Sequence, residues 1–343
     1  MSYLSKTYSL PEQIEIFFRD SGPPVGSKNY TTLLIFHGNA FTGGKVLISK
    51  TFPPLLHCTR TLFTDADAEA DDLTNGRRDF LDRNAVLIAH FLKCFIEEES
   101  IPTIDEEREG GVALLGWSMG TPTATSFFAH HDLLSSDDYE FLSKYVKNLI
   151  VYDSPAHYLG YQHVPPVKGA YNPFNHPDNK DKSVEEVYDE FALWASSYFD
   201  HDLEAGVQGW DFRKYTDRRT ISTWTEEEME RIYRPANAMR VDNRLSSQPM
   251  VNTLRTMTVE ALFDENTVIK CFPEASVAYI TCDRSPWNIL WGTMELRKEY
   301  AEHAERGEKI RPVKFIDVKG ENHFLFWDDP QKFLRVLREK AIS

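Results

Sequence analysis

The sequence predicts an α/β fold: a mostly parallel central sheet flanked by helices, with a helical segment inserted between two strands. Three observations carry this. Short apolar runs alternate with longer amphipathic stretches along most of the chain. Several runs end in small, hydroxyl-bearing or acidic residues, as strands do where a parallel sheet presents its carboxyl edge to ligands. Between about Ala156 and Phe263 the alternation stops and helix signals take over.

The first strand is expected at Thr32 to Phe36, T-L-L-I-F, which runs into His37-Gly38-Asn39-Ala40. Such an unbroken run suits a strand covered on both faces. A second is expected at 61–64, ending in Asp65. A helix follows over 78–98, where Leu87, Phe91, Cys94 and Phe95 keep an apolar stripe. Val112 to Leu115 reads as a strand ending in Gly116-Trp117-Ser118, and Leu149 to Tyr152 as one ending in Asp153. Val277 to Thr281 and Val313 to Val318 complete the set. Asp329-Pro330 starts a last helix that turns Phe333, Leu334 and Leu337 inward.

The interrupted segment has its own punctuation. Ser183-x-x-Glu186 and Thr225-x-x-Glu228 are capping boxes, and the second helix is stopped or kinked at Pro235. A third helix, with Leu254, Met257 and Leu262 on one face, follows Pro249. The stretch from Tyr158 to Asp181 is a loop long enough to mark functional or disordered chain. The expected division is 1–155 and 264–343 for the core and 156–263 for a helical cap. The cap aromatics Tyr158, Tyr161, Tyr171, Phe174, Trp194, Trp210 and Trp224 either line a pocket or form the cap's own core, with about a third facing a ligand.

The chain has 343 residues, 41% hydrophobic and 27% charged, enough for one large core and an accessory segment. Its formal charge of -15 disfavours nucleic acid and anionic membranes as partners. No window is apolar enough for a membrane span. Four cysteines without a C-x-x-C pair fit free thiols in a reducing compartment. The N-terminus lacks a basic stretch followed by an apolar run, so a cytoplasmic location is expected. The ending Ala341-Ile342-Ser343 is not the peroxisomal tripeptide, although a peroxisomal location stays open. The acidic run from Asp65 to Asp72 has Ala70 and Gly76 where a calcium loop needs glycine and glutamate, so it reads as a solvated loop. No metal or cofactor is expected. Nothing in the sequence fixes the oligomeric state.

The chemistry begins at Gly116-Trp117-Ser118-Met119-Gly120, a G-x-S-x-G motif between an apolar strand and a small-residue helix with Pro122 in its first turn. A nucleophile on so sharp a turn sits in strained backbone, and side chains at the two glycines would collide with neighbouring elements. Ser118 is therefore the candidate nucleophile.

Taken together, the His-Gly loop at 37–38, this elbow, the helical insertion and Gly320-Glu321-Asn322-His323 resemble the α/β-hydrolase superfamily over nearly the whole chain. The likeness is to capped, lipase- or esterase-like members, and more loosely to fungal hydrolases of the peroxisomal-lipase and toxin-biosynthesis type. It implies an α/β-hydrolase fold and a chain order of nucleophile, acid, histidine. It makes His323, just past the last strand, the base that takes the Ser118 proton. It places the oxyanion hole at the backbone near Asn39 and at Met119. His37, Gly38, Trp117 and Tyr158 are then expected to border the substrate. For the acid, two residues compete. Most members use the strand end where Asp283 lies, a few residues on, where Ser285 falls. Members resembling haloalkane dehalogenases and their luciferase relatives use the end where Asp153 lies, and several of them carry a His-Gly-Asn loop. The reading leans to Asp153.

The function expected is hydrolysis of a small-molecule ester or lactone through an acyl-enzyme. Thioester cleavage and acyl transfer use the same groups and stay as alternatives, as does carbon–carbon bond hydrolysis. Epoxide hydrolases and dehalogenases of the family carry Asp at the elbow, which Ser118 disfavours. From a different class stands a non-catalytic ligand-binding protein on the same fold.

Overall fold

The computed structural model describes residues 4–11, 14–41, 55–58, 66–162, 169–240 and 242–342. Eight strands form one sheet: β1 (Leu4–Leu10), β2 (Ile14–Asp20), β3 (Thr32–Phe36), β4 (Leu55–Cys58), β5 (Val112–Trp117), β6 (Val146–Tyr152), β7 (Ser276–Cys282) and β8 (Val313–Val318). Their spatial order is β1-β2-β4-β3-β5-β6-β7-β8. The pairs from β4 through β8 are parallel, while β1 and β2 add an antiparallel hairpin at one edge. The helices are α1 (Ala66–Asn75), α2 (Asp79–Glu99), α3 (Gly120–Ser126), α4 (Ser136–Ser143), α5 (Val184–Ala195), α6 (Glu226–Ile232), α7 (Pro235–Arg240), α8 (Gln248–Leu262), α9 (Glu265–Lys270), α10 (Trp287–Glu305), α11 (Leu325–Asp328) and α12 (Pro330–Val336).

The expected strands at 32–36, 112–115, 149–152, 277–281 and 313–318 are all present, most of them a little longer. The stretch 61–64 lies outside the described residues, and the strand beside β3 is β4, a few residues earlier. The edge hairpin has no counterpart in the sequence reading. Its first strand, L-S-K-T-Y-S-L, is half exposed and breaks its apolar pattern with Lys6.

Strand geometry sorts the central side chains into two cores, because successive residues point to opposite faces. Leu34, Phe36, Leu114, Leu149, Val151 and Tyr279 face α2 and α3. Leu33, Ile35, Leu115, Trp117, Ile150, Tyr152 and Ile280 face the other way, with Phe333 and Leu334 of α12. The segment 156–263 lies between β6 and β7, and its parts join different cores. Residues such as Tyr188, Phe191, Phe199 and Tyr233 pack on the α12 side. Leu254, Met257 and Leu262 of α8 pack on the other, against α3 and α1. Both capping boxes form, at Ser183 with Glu186 and at Thr225 with Glu228. Pro235 opens α7, where its missing N–H costs nothing.

The order β4-β3-β5 has a topological consequence. From β3 the chain moves to one side, into β4, and then returns to β5 on the other side. That reversal opens a crevice beyond the carboxyl ends of β3 and β5, where ligands of open α/β sheets bind. The elbow closes it tightly. A Cβ on Gly120 would lie 2.2 Å from the Phe36 carbonyl oxygen, and one on Gly116 would lie 2.6 Å from the Gly120 carbonyl oxygen. Gly120→Ala is expected to cost about 3 kcal/mol of stability, read as a lowered urea midpoint, because the new Cβ meets the backbone carbonyls of Phe36 and His37, which cannot swing aside as a side chain could.

Candidate active site

Two of the candidate residues stand directly at the carboxyl ends of their strands. Ser118 follows β5 with φ 54°, and Asp153 follows β6 with φ 50°. The Ser118 N–H donates to Tyr152 O at 3.0 Å, and the Asp153 N–H donates to Ile280 O at 2.9 Å. Both residues thus hold the left-handed conformation at the point where a strand hands its last hydrogen bond to a neighbour. For a non-glycine residue this costs about 1 kcal/mol or more, and it turns the side chain out of the sheet.

Asp153 is fully buried. Its Oδ1 accepts from the Cys282 backbone N–H at 2.7 Å. Its Oδ2 accepts from the Ser285 hydroxyl and lies 3.0 Å from His323 Nδ1. With His323 Nδ1 facing this carboxylate, an acceptor, the imidazole hydrogen belongs on Nδ1, which leaves Nε2 to accept. Burial, with the Asp153 charge adding to it, pushes the Cys282 thiol well above its usual range. Burial does the same to the Tyr152 hydroxyl. Neither competes as an anion.

Asp283 occupies a different place. It follows β7, and its Oδ1 accepts from the Gly320 N–H at 2.7 Å, tying the turn after β8. The structure therefore brings Asp153, and not Asp283, to the imidazole. Ser285, at the spacing the resemblance gives the commoner acid, supplies a hydroxyl to Asp153 instead.

His323 is 4% exposed and is held from two sides. Its carbonyl accepts from Trp117 Nε1 at 3.1 Å and from the Tyr152 hydroxyl at 3.3 Å. These are the residues just before Ser118 and Asp153. The preceding Asn322 is completely buried; its Nδ2 donates to Ser196 O at 2.7 Å and to Thr220 Oγ1 at 2.9 Å, while its Oδ1 accepts from the Phe324 N–H. Asn322 was not singled out by sequence reasoning, and its position beside the histidine was the only signal. Asn322→Ala is expected to lower stability by about 2 kcal/mol and turnover about tenfold, since the Phe324 N–H loses its acceptor, Ser196 O and Thr220 Oγ1 each lose one of two partners, and the histidine loop loses its anchor. Denaturant midpoints and turnover measured on one preparation check both.

A cavity of about 440 Å3 opens at this edge, with Asn39, Ser118, Tyr158 and His323 in its lining. Phe174 and Trp194 also line it, while Tyr161, Tyr171, Trp210 and Trp224 do not. Of the other residues expected on the substrate side, Trp117 is packed between Phe41, Phe324, Phe326 and the His323 ring. Gly38 lets that indole come close, since a Cβ there would lie 3.1 Å from the ring and 3.2 Å from Ser118 Cβ. His37 Nδ1 lies 2.9 Å from Gly38 O. Met119 caps α3, with its side chain in the core. The Gly43-Gly44 stretch after Phe41 lies outside the described residues. Among the described residues no cluster of His, Cys, Asp and Glu could hold a metal ion, and no helix is long and apolar enough to cross a membrane.

No family model matches the chain, and no curated protein matches it. Solved structures do. A protein described as an aryl esterase from Burkholderia cenocepacia aligns over 98% of this chain and 97% of its own at 15% identity, with a TM-score of 0.50. VinJ aligns over 98% and 97% at 13% identity, with a TM-score of 0.50. A peroxisomal α/β-hydrolase from Saccharomyces cerevisiae aligns over 98% and 88% at 12% identity, with a TM-score of 0.43. With the strand order and the elbow described above, the chain has the α/β-hydrolase fold.

Proposed function

We propose that the protein is a serine hydrolase that cleaves a carboxylic ester or lactone through an acyl-enzyme. One observation carries the reading: His323 Nδ1 lies 3.0 Å from the buried Asp153 carboxylate, at the cavity whose wall also holds Ser118. In this mechanism Ser118 Oγ attacks the ester carbonyl and passes its proton to His323 Nε2. Asp153 keeps the imidazole in the accepting tautomer and stabilises the imidazolium. Backbone N–H groups of Met119 and of the Asn39 turn hold the oxyanion. His323 returns the proton to the leaving alcohol. Water, activated by the same imidazole, then attacks the acyl-enzyme and frees the acid. The segment 156–263 acts as the cap, since Tyr158, Phe174 and Trp194 all come from it.

The test is covalent. A fluorophosphonate should label the folded protein once, on Ser118, and p-nitrophenyl esters should be cleaved with a preference for one chain length. Unlabelled Ser118 together with no ester cleavage would favour a binding protein on the same scaffold.

A further inference from the structure

One helix of the insertion gives the cavity its length. Val184, Val187, Tyr188, Phe191, Trp194 and Ala195 of α5 all line it. Their spacing is one face of a helix, and it runs from the first residue of α5 to the last. At about 1.5 Å per residue, the cavity follows α5 for roughly 16 Å. The two ends differ. Just past the carboxyl end, Ser196 O holds Asn322 Nδ2 at 2.7 Å, next to His323. Towards the amino end the face opens to solvent: Tyr188 to Ala195 on this face are buried, Val187 is half-buried and Val184 is 50% exposed. Phe174, 39% exposed, lines the cavity too and packs on Tyr188 and Phe191 with ring centroids 5.5 and 5.1 Å apart. Lys182 is also in the lining, but its ammonium is taken up by Glu190 at 2.7 Å. The Tyr188 hydroxyl and the Trp194 indole nitrogen have essentially no accessible surface, so this face of α5 presents hydrocarbon. A hydrocarbon strip of that length, buried at the reacting end and open at the other, is the shape of a groove for an unbranched chain.

We propose that α5 is the wall of a groove that selects esters carrying a long unbranched hydrocarbon chain. The ester carbon lies at Ser118, the chain runs along α5, and its tail leaves past Val184. A zigzag of carbon–carbon bonds of about 1.5 Å advances about 1.25 Å per carbon, so a chain of about twelve carbons spans the face. The proposal rests on the hydrolase reading for the bond that is cut, but the groove can be measured with no bond cut.

The experiment uses the full chain carrying Ser118→Ala and follows binding by tryptophan fluorescence, since Trp194 borders the cavity. The probes are methyl butanoate, octanoate and dodecanoate, with the chain on the acyl side, and butyl, octyl and dodecyl acetate, with it on the alcohol side. In at least one series affinity should rise about threefold per carbon from butyl to octyl length, and by about tenfold or more again to dodecyl. The series that rises more steeply tells which half of the ester lies in the groove. Val187→Phe obstructs the groove roughly 12 Å from its Ala195 end. It should bring the dodecyl-to-octyl ratio to within about threefold and leave octyl binding near its parent value. Val184→Asp puts a charge where the tail leaves and should lower the same ratio, while an acid in the first turn of α5 suits the helix and keeps the fold. Octyl ligands binding no tighter than butyl ones in both series overturn the proposal, and so does a dodecyl-to-octyl ratio that neither substitution changes. Chain-length selection in a protein whose Ser118 resists fluorophosphonate sinks the hydrolase reading alone. Turnover of esters by the unsubstituted chain with no dependence on chain length sinks this one alone.

Discussion

Alanine at position 118 is expected to lower ester turnover by about 10⁵-fold or more while leaving the fold intact. The hydroxyl is the atom that forms the new bond, so its removal eliminates the acyl-enzyme path. Only transition-state stabilisation by backbone donors and binding would remain. The folded state should tolerate the change. Ser118 is held through its backbone, by its N–H on Tyr152 and its carbonyl on Thr121, and alanine keeps both bonds. Progress curves at high enzyme concentration, with thermal midpoints beside them, check the two halves. Residual activity within tenfold of the parent would mean that another group attacks.

The second large effect belongs to Asp153. Asp153→Asn is expected to reduce turnover about 10⁴-fold, because an amide no longer holds the imidazole in its accepting tautomer. The local arithmetic is unfavourable for any amide orientation. The carboxylate faces the Cys282 N–H, the Ser285 hydroxyl and His323 Nδ1, all available as donors, and an amide NH2 must point at some of them. Asp283→Asn is expected to change turnover by less than about threefold, since the new amide oxygen can keep accepting from Gly320 and does not reach the imidazole. Both variants are read against the same p-nitrophenyl ester. A large loss at 283 with a small one at 153 would reverse the assignment.

Much of the sheet was legible because its central strands are buried on both faces. Runs such as 32–36 and 112–115 announce themselves by composition, and their ends point to the chemical residues. The elbow was legible because sterics leave little choice at Gly116 and Gly120. The hairpin β1–β2 escaped because an edge strand needs only one apolar face, and a polar residue such as Lys6 blurs it. The choice between two aspartates was open in sequence because both end a parallel strand. It turns on which side chain the imidazole reaches, a tertiary fact that no local pattern encodes. Asn322 was silent for the same reason, as its partners lie at Ser196 and Thr220. The helical insertion was visible from its capping boxes, but the packing of α8 against α1 and α3 was not.

On the proposed mechanism, the left-handed backbone at Ser118 sets thermostability against catalysis at one position. Glycine would relax the turn at Ser118 at little conformational penalty, so a search scored on melting temperature alone would be drawn there, whereas glycine at 153 would strand the Cys282 N–H and the Ser285 hydroxyl. The gain at 118 would delete the hydroxyl to which the proposed mechanism assigns the attack. An inert, sturdier scaffold is thus one substitution away at the end of β5.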